Sequence, residues 1–189
     1  MNILLFHSTF GLRPAVHAAA ERLRAAGHQV QVPDLFDGRT FETVEEGMAF
    51  KEELGSEELL KRAVTAAAPY SDQGLVYAGF SLGGSLAQNL ALADEKARGL
   101  LLFHGTSDIA DNASVDDLPV QLHVADPDAF EPHDWQTAWY LRMRQIGADV
   151  EVHRYPGAGH LYTDPDLADY DEEAAERTWQ VALGFLETL

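Results

Sequence analysis

A glycine-flanked serine is the first feature of the sequence that points to chemistry. Residues 79–83 are Gly-Phe-Ser-Leu-Gly, between an apolar run and a helix-forming stretch. In a tight strand-to-helix turn, side chains two residues either side of Ser81 would collide, so Gly79 and Gly83 suit the pattern. Such a turn exposes the serine hydroxyl and leaves the next amide, that of Leu82, free to donate to an oxyanion. The alternative is a glycine-rich turn whose serine has no chemical role.

A histidine in a glycine-rich loop offers the base that such a serine needs. A serine hydroxyl is a weak nucleophile until a neighbouring base accepts its proton. The apolar run at residues 150–155 leads into Pro-Gly-Ala-Gly-His, so His160 follows the last predicted strand. His7 and His104 also close predicted strands, where they are candidates for lining a pocket. The alternative for His160 is an ordinary histidine of a surface loop.

An acidic residue completes the set of candidates. In the chain order serine, acid, histidine, the acid follows the strand before the one that leads to His160. Asp126 and Asp128 both lie in that segment, and their spacing alone does not choose between them. Either carboxylate can instead accept amide hydrogen bonds within its loop. A second oxyanion donor is expected after the first strand, where the Thr9 amide is the candidate.

These residues need elements to position them, and apolar runs alternate with amphipathic stretches along the whole chain. The apolar runs predict six strands, at 2–7, 29–32, 74–80, 99–104, 120–124 and 150–155. The stretches with helical spacing predict helices at 13–26, 43–67 with a break at Gly55-Ser56, 82–93, 133–146 and 172–189. Residues 105–118 are polar and are expected to form a loop, in which one helical turn is the alternative.

Strands that alternate with helices favour parallel pairing through right-handed crossovers. Near-continuous apolar runs such as Leu100-Leu101-Leu102-Phe103 are typical of strands buried on both faces. The sequence therefore predicts one α/β domain over residues 1–189, with a mostly parallel sheet of about six strands and helices on both faces. In such sheets ligands bind beyond the carboxyl ends of the strands, where the candidate residues lie.

The composition excludes several classes of function. The chain has 189 residues, of which 46% are hydrophobic and 23% charged, as in a globular protein. Its formal net charge of −18 disfavours binding to nucleic acid or to anionic membranes. It has no cysteine, which removes thiol nucleophiles and disulfides and fits a reducing compartment. The short apolar stretch at residues 1–8 is expected to be a strand, and a cytoplasmic location is expected.

The sequence resembles the dienelactone hydrolase family, a compact branch of the α/β-hydrolase fold, over nearly its whole length. The serine turn and the histidine loop are specific to hydrolases, whereas the Phe-Gly of the opening loop and the tail indicate this branch. In the family, an aspartate lies two residues before an apolar or aromatic position and four before a proline. Asp128, with Phe130 and Pro132, matches that pattern and Asp126 does not. The segments that carry the resemblance are 7–12, 25–28, 32–36, 79–84, 155–160, Tyr170-Asp171 and the terminal helix with Trp179.

Three differences from the namesake enzymes bear on the chemistry. Those enzymes have a cysteine nucleophile, a glutamate in the opening loop, and an arginine shortly after the histidine that holds the substrate carboxylate. This sequence has Ser81 and Ser8 at the first two positions, and Leu-Tyr-Thr-Asp at residues 161–164 offers no cation. The resemblance therefore implies a serine nucleophile, with Asp128 and His160 as its partners, and a substrate without a carboxylate.

The expected function is a serine hydrolase that cleaves small neutral carboxylic esters or lactones through an acyl-enzyme. The alternative is an inactive α/β-hydrolase-fold protein with a binding or regulatory role, because a fold does not fix function. We expect a small-molecule substrate, no nucleic-acid or membrane partner, no metal or organic cofactor, and a monomer or small homo-oligomer. A metal site at His123, Asp126, Asp128 and His133 matches no familiar ligand spacing. Four residues are predicted to line the pocket: Ser8, Phe10, His104 and Tyr162.

Overall fold

A computed structural model describes all residues from Met1 to Leu189. Six strands form one sheet: β1 (Asn2–Phe6), β2 (Gln29–Gln31), β3 (Leu75–Phe80), β4 (Gly99–Phe103), β5 (Pro119–Asp126) and β6 (Asp149–Pro156). The α-helices are α1 (Pro14–Ala25), α2 (Val44–Leu54), α3 (Ser56–Ala67), α4 (Leu82–Ala93), α5 (His133–Gln145) and α6 (Glu172–Thr188). A 3₁₀ helix at Ala68–Gln73 leads from α3 into β3.

The sheet has the strand order β2-β1-β3-β4-β5-β6, and every adjacent pair is parallel. The predicted α/β fold with a parallel sheet is thus confirmed. After β1 the chain moves outward to β2 and then returns to pair β3 on the other side of β1. The strand order reverses at this point, which is where open α/β sheets bind their ligands.

Two apolar layers cover the two faces of the sheet. Because successive strand residues point to opposite faces, Leu100 and Leu102 of β4 pack with α3, α4 and α5, whereas Leu101 and Phe103 pack with α1 and α6. The strands are therefore buried on both sides, as their continuous apolar runs predicted. The smaller of the two layers, under α1 and α6, includes Trp179.

The helix boundaries follow local signals in the sequence. Pro14 occupies the first turn of α1, and the Thr43 hydroxyl caps α2 by accepting from the Glu46 amide at 3.2 Å. The break predicted in the long helical region is present, because Gly55 adopts φ +84° between α2 and α3. Asp171 caps α6 by accepting from the Ala174 amide at 3.0 Å. The predicted loop at residues 105–118 contains no helix.

No helix of the structure is both long and apolar enough to span a membrane.

Candidate active site

The candidate residues lie in loops that follow the carboxyl ends of the strands. Thr9 follows β1, Ser81 follows β3 directly, and His160 follows β6. β5 extends to Asp126, two residues beyond its predicted end, so Asp126 is the last residue of the strand and Asp128 lies in the loop. Because parallel strands end at the same edge of a sheet, these loops meet above β3 and its neighbours.

The turn that carries Ser81 is tight and strained. Ser81 has φ +51° and ψ −111°, a conformation that a residue with a Cβ rarely adopts. A Cβ on Gly83 would collide with the carbonyl oxygens of Phe6 and His7, and one on Gly79 would collide with the backbone of Gly83. The two glycines therefore allow the turn to pack against β1, as the sequence pattern predicted.

A third glycine, which sequence reasoning did not identify, makes the same turn possible. A Cβ on Gly105 would collide with the backbone of Ser81 itself. The Ser81 amide donates to the Phe103 carbonyl at 2.7 Å, which fixes the turn against the end of β4. Only the contact with β4 reveals this requirement, since nothing in the local sequence marks Gly105.

Ser81, His160 and Asp128 form one hydrogen-bonded chain. The Ser81 Oγ lies 3.0 Å from the His160 Nε2. The His160 Nδ1 lies 2.8 Å from the Oδ2 and 3.0 Å from the Oδ1 of Asp128. If Nδ1 carries the proton and donates it to the carboxylate, Nε2 is left with a lone pair that faces the serine hydroxyl.

Asp128 is held as a carboxylate in a buried position. Its side chain is 0% exposed, and its Oδ1 accepts from the amides of Phe130 at 2.8 Å and Glu131 at 3.1 Å. Burial favours the neutral acid, but the hydrogen bond and charge of His160 and these two amides together lower the pKa of Asp128 below its usual value. Ionised Asp128 is thus available to accept from His160.

Asp126, the competing acid, is placed differently. It is the last residue of β5, and its backbone carbonyl accepts from the Gly157 amide at 2.9 Å. Its side chain makes no hydrogen bond with His160, which is bound to Asp128. The structure therefore brings Asp128, and not Asp126, to the imidazole.

Two amides near the serine are unengaged donors. Neither the Thr9 amide nor the Leu82 amide donates to an acceptor of the protein. Leu82 is the first residue of α4, where the helix leaves its amides without internal partners and its dipole favours negative charge. Both amides predicted from the sequence therefore keep an unused hydrogen-bond donor, and their role as an oxyanion hole stays a prediction.

A buried polar network that sequence reasoning missed supports the acid loop. The Glu131 carboxylate accepts from the Thr106 amide at 2.9 Å and from the Thr106 hydroxyl at 2.6 Å. The Trp135 indole donates to the same hydroxyl at 2.7 Å. Burial raises the pKa of Glu131, against the effect of the Thr106 hydrogen bonds. This network joins the loop after β4 to the turn that holds Asp128.

His104 and Phe130 contact the histidine loop from two sides. The His104 Nε2 lies 2.7 Å from the Thr163 hydroxyl, and its ring centroid is 6.2 Å from that of His160. Burial, followed by the charges of His160 and His123, lowers the pKa of His104, so that it stays neutral. The exposed ring of Phe130 packs on His160 with its centroid at 4.5 Å.

A cavity of about 260 Å³ adjoins this group on the α1 and α6 side of the sheet. Ser8, one of the four predicted lining residues, lies on its wall. Phe10, His104 and Tyr162 do not line it. His104 and Tyr162 are fully buried, and the Tyr162 hydroxyl lies 2.7 Å from that of Thr178, so they pack behind the loop rather than facing a ligand.

No group of three or more histidine, aspartate and glutamate side chains is arranged to hold a metal ion. His123 belongs to the sequence cluster of His123, Asp126, Asp128 and His133. Its Nδ1 lies 2.9 Å from the Tyr155 hydroxyl and its Nε2 lies 2.9 Å from the Gln121 Oε1. Burial lowers the pKa of His123 to about 3, so that it is a neutral core residue with both nitrogens engaged.

The parallel sheet, the strained serine turn after β3 and the loops above it define an α/β-hydrolase fold. The sequence profile of the dienelactone hydrolase family matches residues 1–189, and the chain therefore belongs to that family. Membership in that family makes it a hydrolase of ester-type substrates, and the resemblance inferred from the motifs is confirmed.

Individual proteins of known structure share the fold at low identity. One is a dienelactone hydrolase-like promiscuous phosphotriesterase from metagenomic libraries, 22% identical, with a TM-score of 0.84 over 98% of this chain and 85% of that one. Another is esterase 2 of Thermogutta terrifontis, phosphoramylated by tabun, 15% identical, with a TM-score of 0.78 over 99% of this chain and 82% of that one. The comparison by sequence alone also finds a relative, an uncharacterized protein of Caenorhabditis elegans. It is 28% identical over 120 residues, which are 58% of this chain and 76% of that protein.

Proposed function

We propose that this protein is a serine hydrolase that cleaves small neutral carboxylic esters or lactones through an acyl-enzyme. The observation that carries the proposal is the 3.0 Å distance between the Ser81 Oγ and the His160 Nε2, on a strained turn that presents the hydroxyl. A base at that distance can accept the hydroxyl proton directly. Membership in a family of ester hydrolases supports the same chemistry.

In the acylation step, His160 Nε2 takes the proton of Ser81 as the Oγ attacks the ester carbonyl carbon. The carbonyl oxygen becomes an oxyanion, which the amides of Thr9 and Leu82 bind. The intermediate then collapses, the bond to the leaving oxygen breaks, and His160 donates its proton to the departing alcohol. The acyl group remains on the Ser81 Oγ.

In the deacylation step, a water molecule gives a proton to His160 Nε2 and attacks the acyl carbon. The same two amides bind the second oxyanion, and the proton returns to the Ser81 Oγ as the acid leaves. A lactone follows the same course, except that its leaving alcohol stays attached to the acyl group. Neither step uses a metal or an organic cofactor.

Asp128 has the role of orienting His160 rather than of taking a proton. Its carboxylate accepts from the Nδ1–H and so fixes the tautomer in which Nε2 faces the serine. When His160 becomes an imidazolium, the buried negative charge stabilises it. The lowered pKa of Asp128 keeps that charge in place throughout the cycle.

The electrostatics favour a substrate without a carboxylate. The net charge of −18 repels anions over the range of a Debye length. After His160, residues 161–164 supply no basic side chain, and Asp164 lies on the wall of the adjoining cavity.

For the same electrostatic reason we propose that the protein binds neither nucleic acid nor anionic membranes. We also propose that it acts in the cytoplasm, as a monomer or small homo-oligomer.

The test is a panel of esters assayed on the wild-type protein and on Ser81→Ala. The substitution should lower kcat on the order of 10⁴- to 10⁶-fold, because it removes the nucleophile. Ser71→Ala is the control: its hydroxyl is exposed and bonds only to the Ala68 carbonyl, so its activity should match the wild type. Thermal unfolding of both variants reports on the fold. If Ser81→Ala keeps more than about a tenth of the wild-type kcat, the nucleophile lies elsewhere.

A further inference from the structure

The cavity beside the candidate active site touches the neighbours of three of its residues. Ser8 precedes Thr9, Phe80 precedes Ser81, and Leu161 follows His160; all three neighbours line the cavity. The remaining wall comes from α1, α6 and the loop at residues 163–170. Ser81 and His160 do not line the cavity themselves, but each is joined by one peptide bond to a residue that does.

The wall is mainly apolar and carries three aromatic rings. Phe80 lies at the inner end, where its ring stacks on Phe103 with a centroid distance of 4.9 Å. Trp179 of α6 and the half-exposed Tyr170 complete the aromatic part. The small side chains of Ala15, Ala18 and Ala19 on α1 leave the space open opposite them. The faces of aromatic rings attract cations as well as apolar groups.

The charges around the cavity leave an excess of carboxylate. Glu176 and Arg22 pair with each other at 2.6 Å, and the Arg22 guanidinium also lies 5.6 Å from the centre of the Trp179 ring. Asp164, on the cavity wall, makes no salt bridge of its own: the Arg13 guanidinium is within 4 Å of Asp166 only, at 3.8 Å. On the cavity wall itself, two carboxylates, Asp164 and Glu176, are accompanied by one guanidinium, that of Arg22.

The carboxylate of Asp164 would be stabilised by a positive charge beside it. It accepts from the Asp166 amide at 3.0 Å, and burial raises its pKa against the effects of that amide and of Arg13. A raised pKa means that the charged form is incompletely compensated in the free protein. A cation next to Asp164 would compensate it.

We propose that this cavity binds a compact cationic group of the substrate, and that Asp164 and the aromatic wall select it over a neutral or anionic group of the same shape. The inference rests on the proposed ester hydrolysis and changes one part of it: among esters without a carboxylate, it favours those with an alkylammonium group over neutral ones. A trimethylammonium group suits the site, because its methyl groups contact the alanines and rings while its charge faces Asp164.

Two guanidinium groups act against a bound cation, and one of them, Arg22, lines the cavity itself and lies over the Trp179 ring. The Arg13 Nη1 is buried without a hydrogen-bond partner, and an unsatisfied guanidinium nitrogen would attract an anion. Arg13 does not line the cavity; it lies over the Phe10 ring at 5.3 Å. A carboxylate probe therefore has to stand beside the cation and the neutral molecule.

The experiment measures binding of three probes of one shape by titration calorimetry. Choline has a trimethylammonium head, and 3,3-dimethylbutan-1-ol and 3,3-dimethylbutanoate have a tert-butyl head of the same shape. The three molecules differ mainly in charge, which is positive, zero and negative respectively. On the wild-type protein, choline should bind about tenfold more tightly than the neutral alcohol, and the carboxylate most weakly. Equal binding of choline and the alcohol, or tightest binding of the carboxylate, overturns the proposal.

Three variants locate the effect. Asp164→Asn keeps the oxygen that accepts from the Asp166 amide and removes the charge. The affinity of this variant for choline should therefore fall to its affinity for the neutral alcohol. Asp166→Asn, on the same loop but off the cavity wall, should keep the preference for choline. Ala18→Phe fills the mouth of the cavity and should weaken choline and the alcohol alike. A preference for choline that survives in Asp164→Asn, or choline binding unchanged in Ala18→Phe, excludes this site.

The same titration separates this inference from the proposed function. Choline corresponds to the alcohol part of such an ester and has no acyl group to transfer. Its binding therefore does not require the nucleophile, and Ser81→Ala should bind it as the wild type does. If Ser81-dependent ester hydrolysis is observed and choline shows no preference, only the cavity assignment fails. If choline binds as expected and no ester is hydrolysed, only the proposed catalysis fails.

Discussion

Ser81 illustrates how far a single residue can be understood from the sequence. Its two flanking glycines and its place between a strand and a helix are evident from the sequence. The structure gives Ser81 the φ of +51° that such a turn requires. The third glycine that the turn needs, Gly105, lies in the loop that follows the neighbouring strand β4. Sequence reasoning found the local requirement and missed the one that depends on how strands pair.

Substitution of Asp126 and of Asp128 tests which of the two carboxylates orients His160. Asp128→Asn should lower kcat roughly 10⁴-fold, because an amide in contact with the His160 Nδ1 favours the wrong tautomer. Asp126→Asn should change kcat by less than about tenfold, since the Asp126 side chain does not bond to His160. Steady-state kinetics on the pair decide the matter. A crippled Asp126→Asn beside a near-normal Asp128→Asn would show that the assignment is wrong by two residues.

The physical reason that strand-end logic left both acids open is the length of β5. The apolar run ends at Val124, but pairing with β6 continues to Asp126, opposite Pro156. Glu131 was missed for a related reason. It is one of 31 acidic residues, and only its buried contacts with Thr106 distinguish it from those on the surface. Hydrophobic pattern reports which residues are inside an element, not which loop carboxylates become buried.

At the scale of elements, the turn between β3 and α4 depends on the close approach of α4 to the end of β1. Gly83 lies on α4 where a Cβ would be 2.5 Å from the His7 carbonyl oxygen. Real Cβ atoms do not approach backbone oxygens so closely, and the strand has no freedom to move because it is buried on both faces. The packing of this helix therefore requires glycine, independently of any chemistry at Ser81.

Gly83→Ala should lower the free energy of unfolding by about 1–3 kcal/mol or more, the usual cost of overpacking. Gly184→Ala is the matched control: it lies in α6 with nothing within 4 Å of the added Cβ, and should raise stability by about 0.5–1 kcal/mol through helix propensity. Urea denaturation of the two variants gives both values. Equal effects of one sign would show that the close approach is not what constrains Gly83.

The elements themselves were largely predictable. Every predicted strand and helix is present, because alternating apolar runs and amphipathic stretches are set by burial on a covered sheet. The ends were less accurate, as at β5, and the 3₁₀ helix at Ala68–Gln73 was not foreseen. Its only signal is Pro69, which ends α3 without specifying the conformation of the residues after it.

At the scale of the whole molecule, the net charge of −18 acts on any substrate that approaches. Long-range repulsion of this kind lowers the local concentration of anions, and salt screens it. The effect should therefore be visible as a dependence of substrate preference on ionic strength, which a purely local preference would not show.

The prediction concerns two aryl acetates, 4-acetoxybenzamide and 4-acetoxybenzoate, which differ in charge at a site remote from the ester. The neutral compound should have the higher kcat/KM. The ratio should decrease as NaCl rises from about 0.01 M to about 1 M, because the Debye length falls from about 30 Å to about 3 Å. If the ratio of kcat/KM values does not change with salt, the preference for the neutral ester comes from the cavity alone. A preference for the carboxylate would contradict both the long-range repulsion and the local effect of the cavity.

The central claim, that Ser81 is an activated nucleophile, is tested most directly by labelling with a fluorophosphonate and mapping the modified peptide by mass spectrometry. The phosphorus atom accepts the same attack as an ester carbonyl, and the adduct marks the attacking oxygen. We expect one adduct, on Ser81, which is absent from Ser81→Ala and forms far more slowly in Asp128→Asn. An adduct on a different residue, or no adduct on the folded protein, would contradict the claim.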